Sequence, residues 1–91
     1  MKSGDYYELF VETVTVDLNK LHAAAKYSDL VSLAQIAHRL KGLFAVLGIE
    51  PGKQLCETLE LHITQGDELD IKDSVDYIDS FIYTLLYQDN S

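Results

Sequence analysis

What this sequence lacks narrows what it can do. A single cysteine, Cys56, cannot form an internal disulfide, so nothing points to an oxidising compartment. Seven basic residues stand against fifteen acidic ones, for a formal net charge of −8. Nucleic-acid binding needs a basic footprint and is not expected here. The same acidic surface repels anionic headgroups, so no direct membrane contact is expected, and a partner with a basic rim suits it better. No apolar run approaches the ~20 residues of a bilayer-spanning helix. The opening Met1-Lys2-Ser3-Gly4 lacks the apolar core of a signal peptide and reads as the edge of a piece of a longer protein. There is no Gly-rich phosphate loop, which argues against autonomous use of ATP. His22, His38, Cys56 and His62 lack the close spacing of a zinc site, so no metal is expected. Repeats, linkers and low-complexity segments are also missing.

What remains is 91 residues, 47% of them hydrophobic, enough for one small globular domain spanning 1–91. A chain this short buries only about 60–65% of its unfolded surface, so its core must be well packed. Apolar residues recur at spacings of three and four along most of it, which predicts helices. The first is expected over 5–26, capped by Ser3 or Asp5, with Tyr7, Phe10, Val14, Leu18, Leu21 and Ala25 inward. Residues 11–18 are rich in Val and Thr and compete for a strand. The second is expected over 29–47, capped by Ser28 or Asp29, with Leu30, Leu33, Ala37, Leu40, Phe44 and Leu47 inward. Gly48 would end it in a left-handed conformation, leaving Ile49 to pack back. The third, over 51–65, starts at Pro51 and turns Leu55, Leu59 and Ile63 inward with Cys56 beside them, before Gly66-Asp67 stops it. The fourth, over 71–87, is capped by Asp70 or Asp73 and buries Ile71, Val75, Ile78, Ile82 and Leu85. Short connections make sequence neighbours antiparallel, so the expectation is an all-α, up-down four-helix bundle that is monomeric.

The second helix carries the chemistry. At ~100° per residue, Val31, Ala34, His38, Lys41, Gly42 and Ala45 share a face turned away from its apolar stripe. That face is small and flat apart from an imidazole and an ammonium three residues apart, which makes them surface neighbours. Gly42 inside a helix costs roughly 1 kcal/mol against Ala, so it is expected to clear space beside His38. Neutral imidazole, with an ordinary pKa of about 6.5, is a good nucleophile. A lone exposed histidine is ordinarily inert; the fixed offsets to Lys41, Gly42, Ala45 and Gly48 favour a reactive one. Arg39 is expected to point away from this face as a solvated charge within reach of a partner's rim. His22 and His62 read as ordinary helix residues, and Cys56 as buried packing.

The run His38-x-Leu40-Lys41-Gly42-x-x-Ala45-x-Leu47-Gly48 resembles the signature of histidine-containing phosphotransfer (HPt) domains. The likeness extends downstream through Leu55-Cys56-Glu57-Thr58-Leu59-Glu60 and upstream across 10–21. It departs at Leu43 and Phe44, where many members carry small polar residues, so no phosphate hydrogen bond is expected there. The resemblance implies that His38 accepts a phosphoryl group and that Lys41 stabilises its charge. It implies a face for docking receiver domains, formed by Val31, Ala34, Gln35, Arg39, Gly42 and Ala45. Response-regulator receiver domains would be both donor and acceptor. The acceptor aspartate, its neighbours and Mg²⁺ would belong to the receiver, which would account for the lack of a carboxylate cluster near His38. Such a domain has no cofactor of its own and no turnover alone, so it is a transfer protein rather than an enzyme. It would work in the cytoplasm, and the likeness leaves room for a longer protein anchored in the bacterial inner membrane. Two rivals remain: a docking bundle with an inert histidine, and a kinase dimerisation domain. The latter usually has an acidic residue right after the histidine and a proline soon after, whereas Arg39 follows here and no proline precedes Pro51.

Overall fold

The computed structural model describes residues 4–87, with side chains described from Glu8 onward. Four helices follow one another: α1 (Gly4–Lys26), α2 (Leu30–Leu47), α3 (Glu50–Gln65) and α4 (Glu68–Tyr87). α1 packs on α2, α2 on α3, α3 on α4, and α4 closes the ring against α1. This is the expected antiparallel bundle. The expected caps at Ser3 and Asp5 and the side chain of Tyr7 lie outside the described residues. Residues 11–18 are helical. Val14 and Leu21 are fully buried, and burial along a helical spacing outweighs a local strand preference.

Each turn is set by local chemistry. Ser28 adopts a positive φ of 54°, and Asp29 caps α2 by accepting the Ser32 amide at 3.2 Å. The Ser32 hydroxyl donates to the same carboxylate at 2.7 Å, and these two bonds hold the Asp29 carboxyl below its usual pKa. Gly48 ends α2 at φ 73°, and Ile49 N–H reaches back to the Phe44 carbonyl at 2.8 Å. Pro51 lies in the first turn of α3. α4 begins earlier than expected, at Glu68, and its cap is Asp67 rather than Asp70 or Asp73. The Asp67 carboxylate accepts the Asp70 amide at 3.1 Å, and Glu68 and Asp70 in the first turn favour the helix dipole.

The core is contiguous: Val14, Leu21 and Ala24 of α1, Leu33, Ile36, Ala37, Leu40 and Phe44 of α2, Cys56 and Leu59 of α3, and Ile71, Val75, Ile78 and Ile82 of α4. α2 buries Ile36 as well as the expected stripe, because it faces both α1 and α3; the stripe's ends, Leu30 and Leu47, are exposed. α3 turns Gly52, Cys56 and Leu59 furthest inward, leaving Leu55 and Ile63 at the margin. Phe44 meets Phe81 edge to face at 5.9 Å between ring centroids. Among the described residues, α2 is the one helix long and apolar enough to cross a membrane by length and composition. Here its apolar side forms the centre of the bundle.

Two polar contacts were not foreseen. Arg39 is no free solvated charge: Nη2 and Nε donate to the Asp17 carboxylate at 2.7 and 3.1 Å, a two-pronged clasp from α2 to α1. The Asp17 side chain is only 6% exposed, so Arg39→Ala strands a buried carboxylate. We expect it to lower stability by about 1–2 kcal/mol in chemical denaturation, more than a surface arginine would. His62 is half-buried, with Nδ1 2.7 Å from Oγ of buried Ser74 and 3.2 Å from the Asp70 carbonyl, so it joins α3 to α4 rather than merely occupying a surface.

Candidate functional site

The middle of α2 carries His38 well out of the core, with its side chain 76% exposed. Leu40 before Lys41, and Ala37 before His38, are fully buried, so the helix is anchored beneath the imidazole and the ring is held on a rigid element. One turn on, a Cβ added at Gly42 would meet nothing within 4 Å. The glycine therefore opens space beside the ring and is not a helix–helix contact. Val31 (70% exposed) and Ala45 extend this low face, and Ala34 is partly covered.

Lys41 leans toward α3. Its Nζ lies 2.8 Å from Oε1 of Glu60, and the other oxygen of that carboxylate lies 3.6 Å from His38 Nδ1. The hydrogen bond from Lys41 to Glu60 raises the lysine pKa, so it remains a cation throughout the physiological range. A single carboxylate, not a cluster, bridges the imidazole and the ammonium, and the sequence reading did not single it out. Glu60 escaped the sequence reading because its place depends on the register of α3 against α2. The available signal was its position one residue beyond Leu59 on the side of α3 that faces α2.

Gln35 and Arg39 are not gathered with His38. They line a separate groove of about 370 Å³ against α1, together with Lys20, Tyr27 and Ser32. Leu43 is partly buried and Phe44 fully so, which fits their apolar character. Cys56 lies under the Lys41–Glu60 pair, and burial pushes its thiol up to about 12, so it is inert packing. His22 is exposed on α1, 3.4 Å from Asp79 of α4 and away from this face. Among the described residues, no group of three or more His, Cys, Asp or Glu is placed to hold a metal ion.

A four-helix bundle with one exposed histidine on its second helix, a lysine one turn on and a bare glycine beside them is the architecture of a phosphotransfer domain. The chain belongs to the Hpt domain family, whose model matches residues 5–87. It is 49% identical over 86 residues to the phosphotransferase RcsD of Escherichia coli (strain K12), covering 94% of this chain and 10% of that protein. The chain therefore spans about a tenth of the length of this curated relative. Its fold matches the solution structure of the Escherichia coli YojN histidine-phosphotransferase (HPt) domain with a TM-score of 0.85 and 49% identity, over 91% of this chain and 72% of that one.

Proposed function

We propose that this domain is a phosphocarrier: His38 takes a phosphoryl group from the aspartyl phosphate of one receiver domain and hands it to the aspartate of another. The observation that carries this reading is a rigidly mounted, exposed imidazole with a cation on one side and cleared space on the other. Phosphoryl transfer asks a carrier for little more than that: a nucleophile, an open in-line path and positive charge near the transferring oxygens. A ring nitrogen attacks phosphorus, the P–O bond to the donor aspartate breaks, and the carboxylate leaves. The reverse sequence loads the acceptor. The receiver contributes the aspartate and Mg²⁺; the carrier brings no cofactor and turns nothing over alone. By similarity to RcsD, the donor is an RcsC-like hybrid kinase receiver and the acceptor an RcsB-like regulator, both meeting the domain in the cytoplasm. The domain acts as a monomer, so gel filtration separates this reading from a dimeric kinase domain. Incubation with a phosphorylated receiver should produce acid-labile, alkali-stable label on the chain; no label would return it to the inert docking bundle.

Lys41 stabilises the transferring charge. Lys41→Ala should slow transfer roughly tenfold or more, a barrier change of about 1.4 kcal/mol per decade, while the melting temperature moves much less, since the Lys41–Glu60 pair still reaches solvent, each side chain being a little over a quarter exposed. An unchanged rate would remove Lys41 from the mechanism.

Gly42 keeps the path open. Gly42→Ala should hold or raise the melting temperature, because Ala is better in a helix by roughly 1 kcal/mol and its Cβ meets nothing. Gly42→Leu should fold and transfer poorly. Normal transfer by the folded Leu variant would put receiver docking on another face.

A further inference from the structure

At the end of the bundle away from Gly48, the last turns of α1 and the first turns of α4 flank a cavity of about 540 Å³. Its size suits a small molecule, for which about 300–1,000 Å³ is usual. Buried Leu33, Ile71 and Val75 give it an apolar floor. Leu30 and Leu69 stand at its mouth, and Leu69 is 75% exposed although apolar. Gly66 borders it without a side chain; its φ of 75° favours glycine, and a Cβ there would meet nothing within 4 Å. His38, Lys41 and Gly42 take no part in the lining, so the cavity is separate from the transfer face.

The rim carries charge of the scarcer sign. Among the described residues, Arg39, Lys41 and Lys53 each meet a carboxylate. Lys26 and Lys72 do not, and both line this cavity, Lys26 from α1 and Lys72 from α4. The Lys26 ammonium lies over the Tyr27 ring, 5.6 Å from its centroid. Glu68 and Asp76 stand one turn either side of Lys72 yet form no ion pair with it, and His22 on the α1 wall faces Asp79 at 3.4 Å. Two ammonium groups without carboxylate partners thus border one apolar cavity, in a molecule of net charge −8. Apolar walls exclude water and strengthen a charge contact made at their edge.

We propose that this cavity binds a linear amphipathic carboxylate, a medium-chain fatty acid, with its chain on Leu33, Ile71 and Val75 and its head group between Lys26 and Lys72. The proposal does not depend on which histidine accepts phosphate. The overall field of the domain works against it, because an acidic molecule attracts cations and repels anions. A preference for the carboxylate can therefore arise only from the local rim, so head-group selectivity is a stringent measure of the site.

The test titrates decanoate, decanol and decylammonium, each below its micelle-forming concentration, into the ¹⁵N-labelled protein. Decanoate should bind most tightly and decylammonium least, with amide shifts centred on Ala25, Leu33, Gly66 and Val75. Octanoate, two methylenes shorter, should bind roughly tenfold more weakly than decanoate. Lys26 and Lys72 are exposed, so the double variant Lys26→Gln with Lys72→Gln should keep the fold. It should weaken decanoate roughly fivefold or more and leave decanol unchanged. Decylammonium bound as tightly as decanoate, shifts centred instead on Val31 and Val46, or decanoate affinity unchanged in the double variant would each overturn the proposal. Sedimentation with phosphatidylglycerol vesicles supplies the remaining control. The protein should stay in the supernatant; co-sedimentation that the double variant abolishes would make the rim a lipid-surface contact and overturn the fatty-acid site.

Discussion

His38→Gln should abolish phosphorylation by a phosphorylated receiver and leave the fold intact. Both halves follow from where the side chain stands. It is 76% exposed and its ring faces the Glu60 carboxylate at 3.6 Å, so removing it opens no buried cavity. The stability change should stay within about ±0.5 kcal/mol in a denaturant titration. The loss of label should be complete, because the glutamine amide nitrogen has no available lone pair for attack. The other two histidines provide the controls. His22→Ala should be labelled normally, since His22 sits on α1 beside Asp79. His62→Ala should also be labelled, although it removes the partner of buried Ser74 and should melt earlier. Label lost in either control, or retained in His38→Gln, would move the acceptor elsewhere.

The parts legible in the sequence were those fixed by local periodicity. Leu33, Ala37, Leu40 and Phe44 repeat along one helix, and they are the residues that the bundle buries. The cleared face around His38 and Gly42 follows from the same geometry, because a side of one helix needs no knowledge of any other helix. Turn chemistry was legible where a single residue type sufficed, as at Gly48 with its φ of 73°. It failed at the start of α4, where four acidic residues, Asp67, Glu68, Asp70 and Asp73, compete for one cap and only the backbone path selects Asp67. What stayed hidden was every contact between helices. Glu60 reaches the site only through the register of α3 on α2. Arg39 looked solvated because a guanidinium at a helix margin carries no sign of its partner. Asp17, spaced among the apolar residues of α1, was the visible clue: a carboxylate on a buried stripe demands a cation, and Arg39 supplies it.

Gly52 and Gly42 should respond in opposite ways to the same one-carbon addition, and the contrast separates packing from docking. Both lie inside helices, where glycine costs roughly 1 kcal/mol against alanine. At Gly42 a Cβ meets nothing, so the propensity gain is kept. At Gly52 a Cβ would sit 2.8, 2.8 and 2.9 Å from three atoms of the Phe44 ring, closer than carbon atoms tolerate. That ring cannot swing aside, because Phe44 is fully buried and set edge to face against Phe81. α3 would have to move off α2, loosening the packing that also carries Glu60 toward His38. Overpacking of this kind typically costs about 1–3 kcal/mol and should exceed the propensity gain for Ala. For a domain of 60–100 residues each kcal/mol lowers the melting temperature by about 4–8 °C. We therefore expect Gly52→Ala to melt clearly below the wild type and Gly52→Leu to leave the domain unfolded at ordinary temperatures. Gly52→Ala should still accept phosphate at temperatures where it remains folded, because its defect lies beneath the transfer face and not on it. Thermal melts by circular dichroism in parallel with Gly42→Ala provide the check. A Gly52→Ala protein as stable as the wild type would mean that Phe44 has room to shift, and that the contact between α2 and α3 is softer than its geometry indicates.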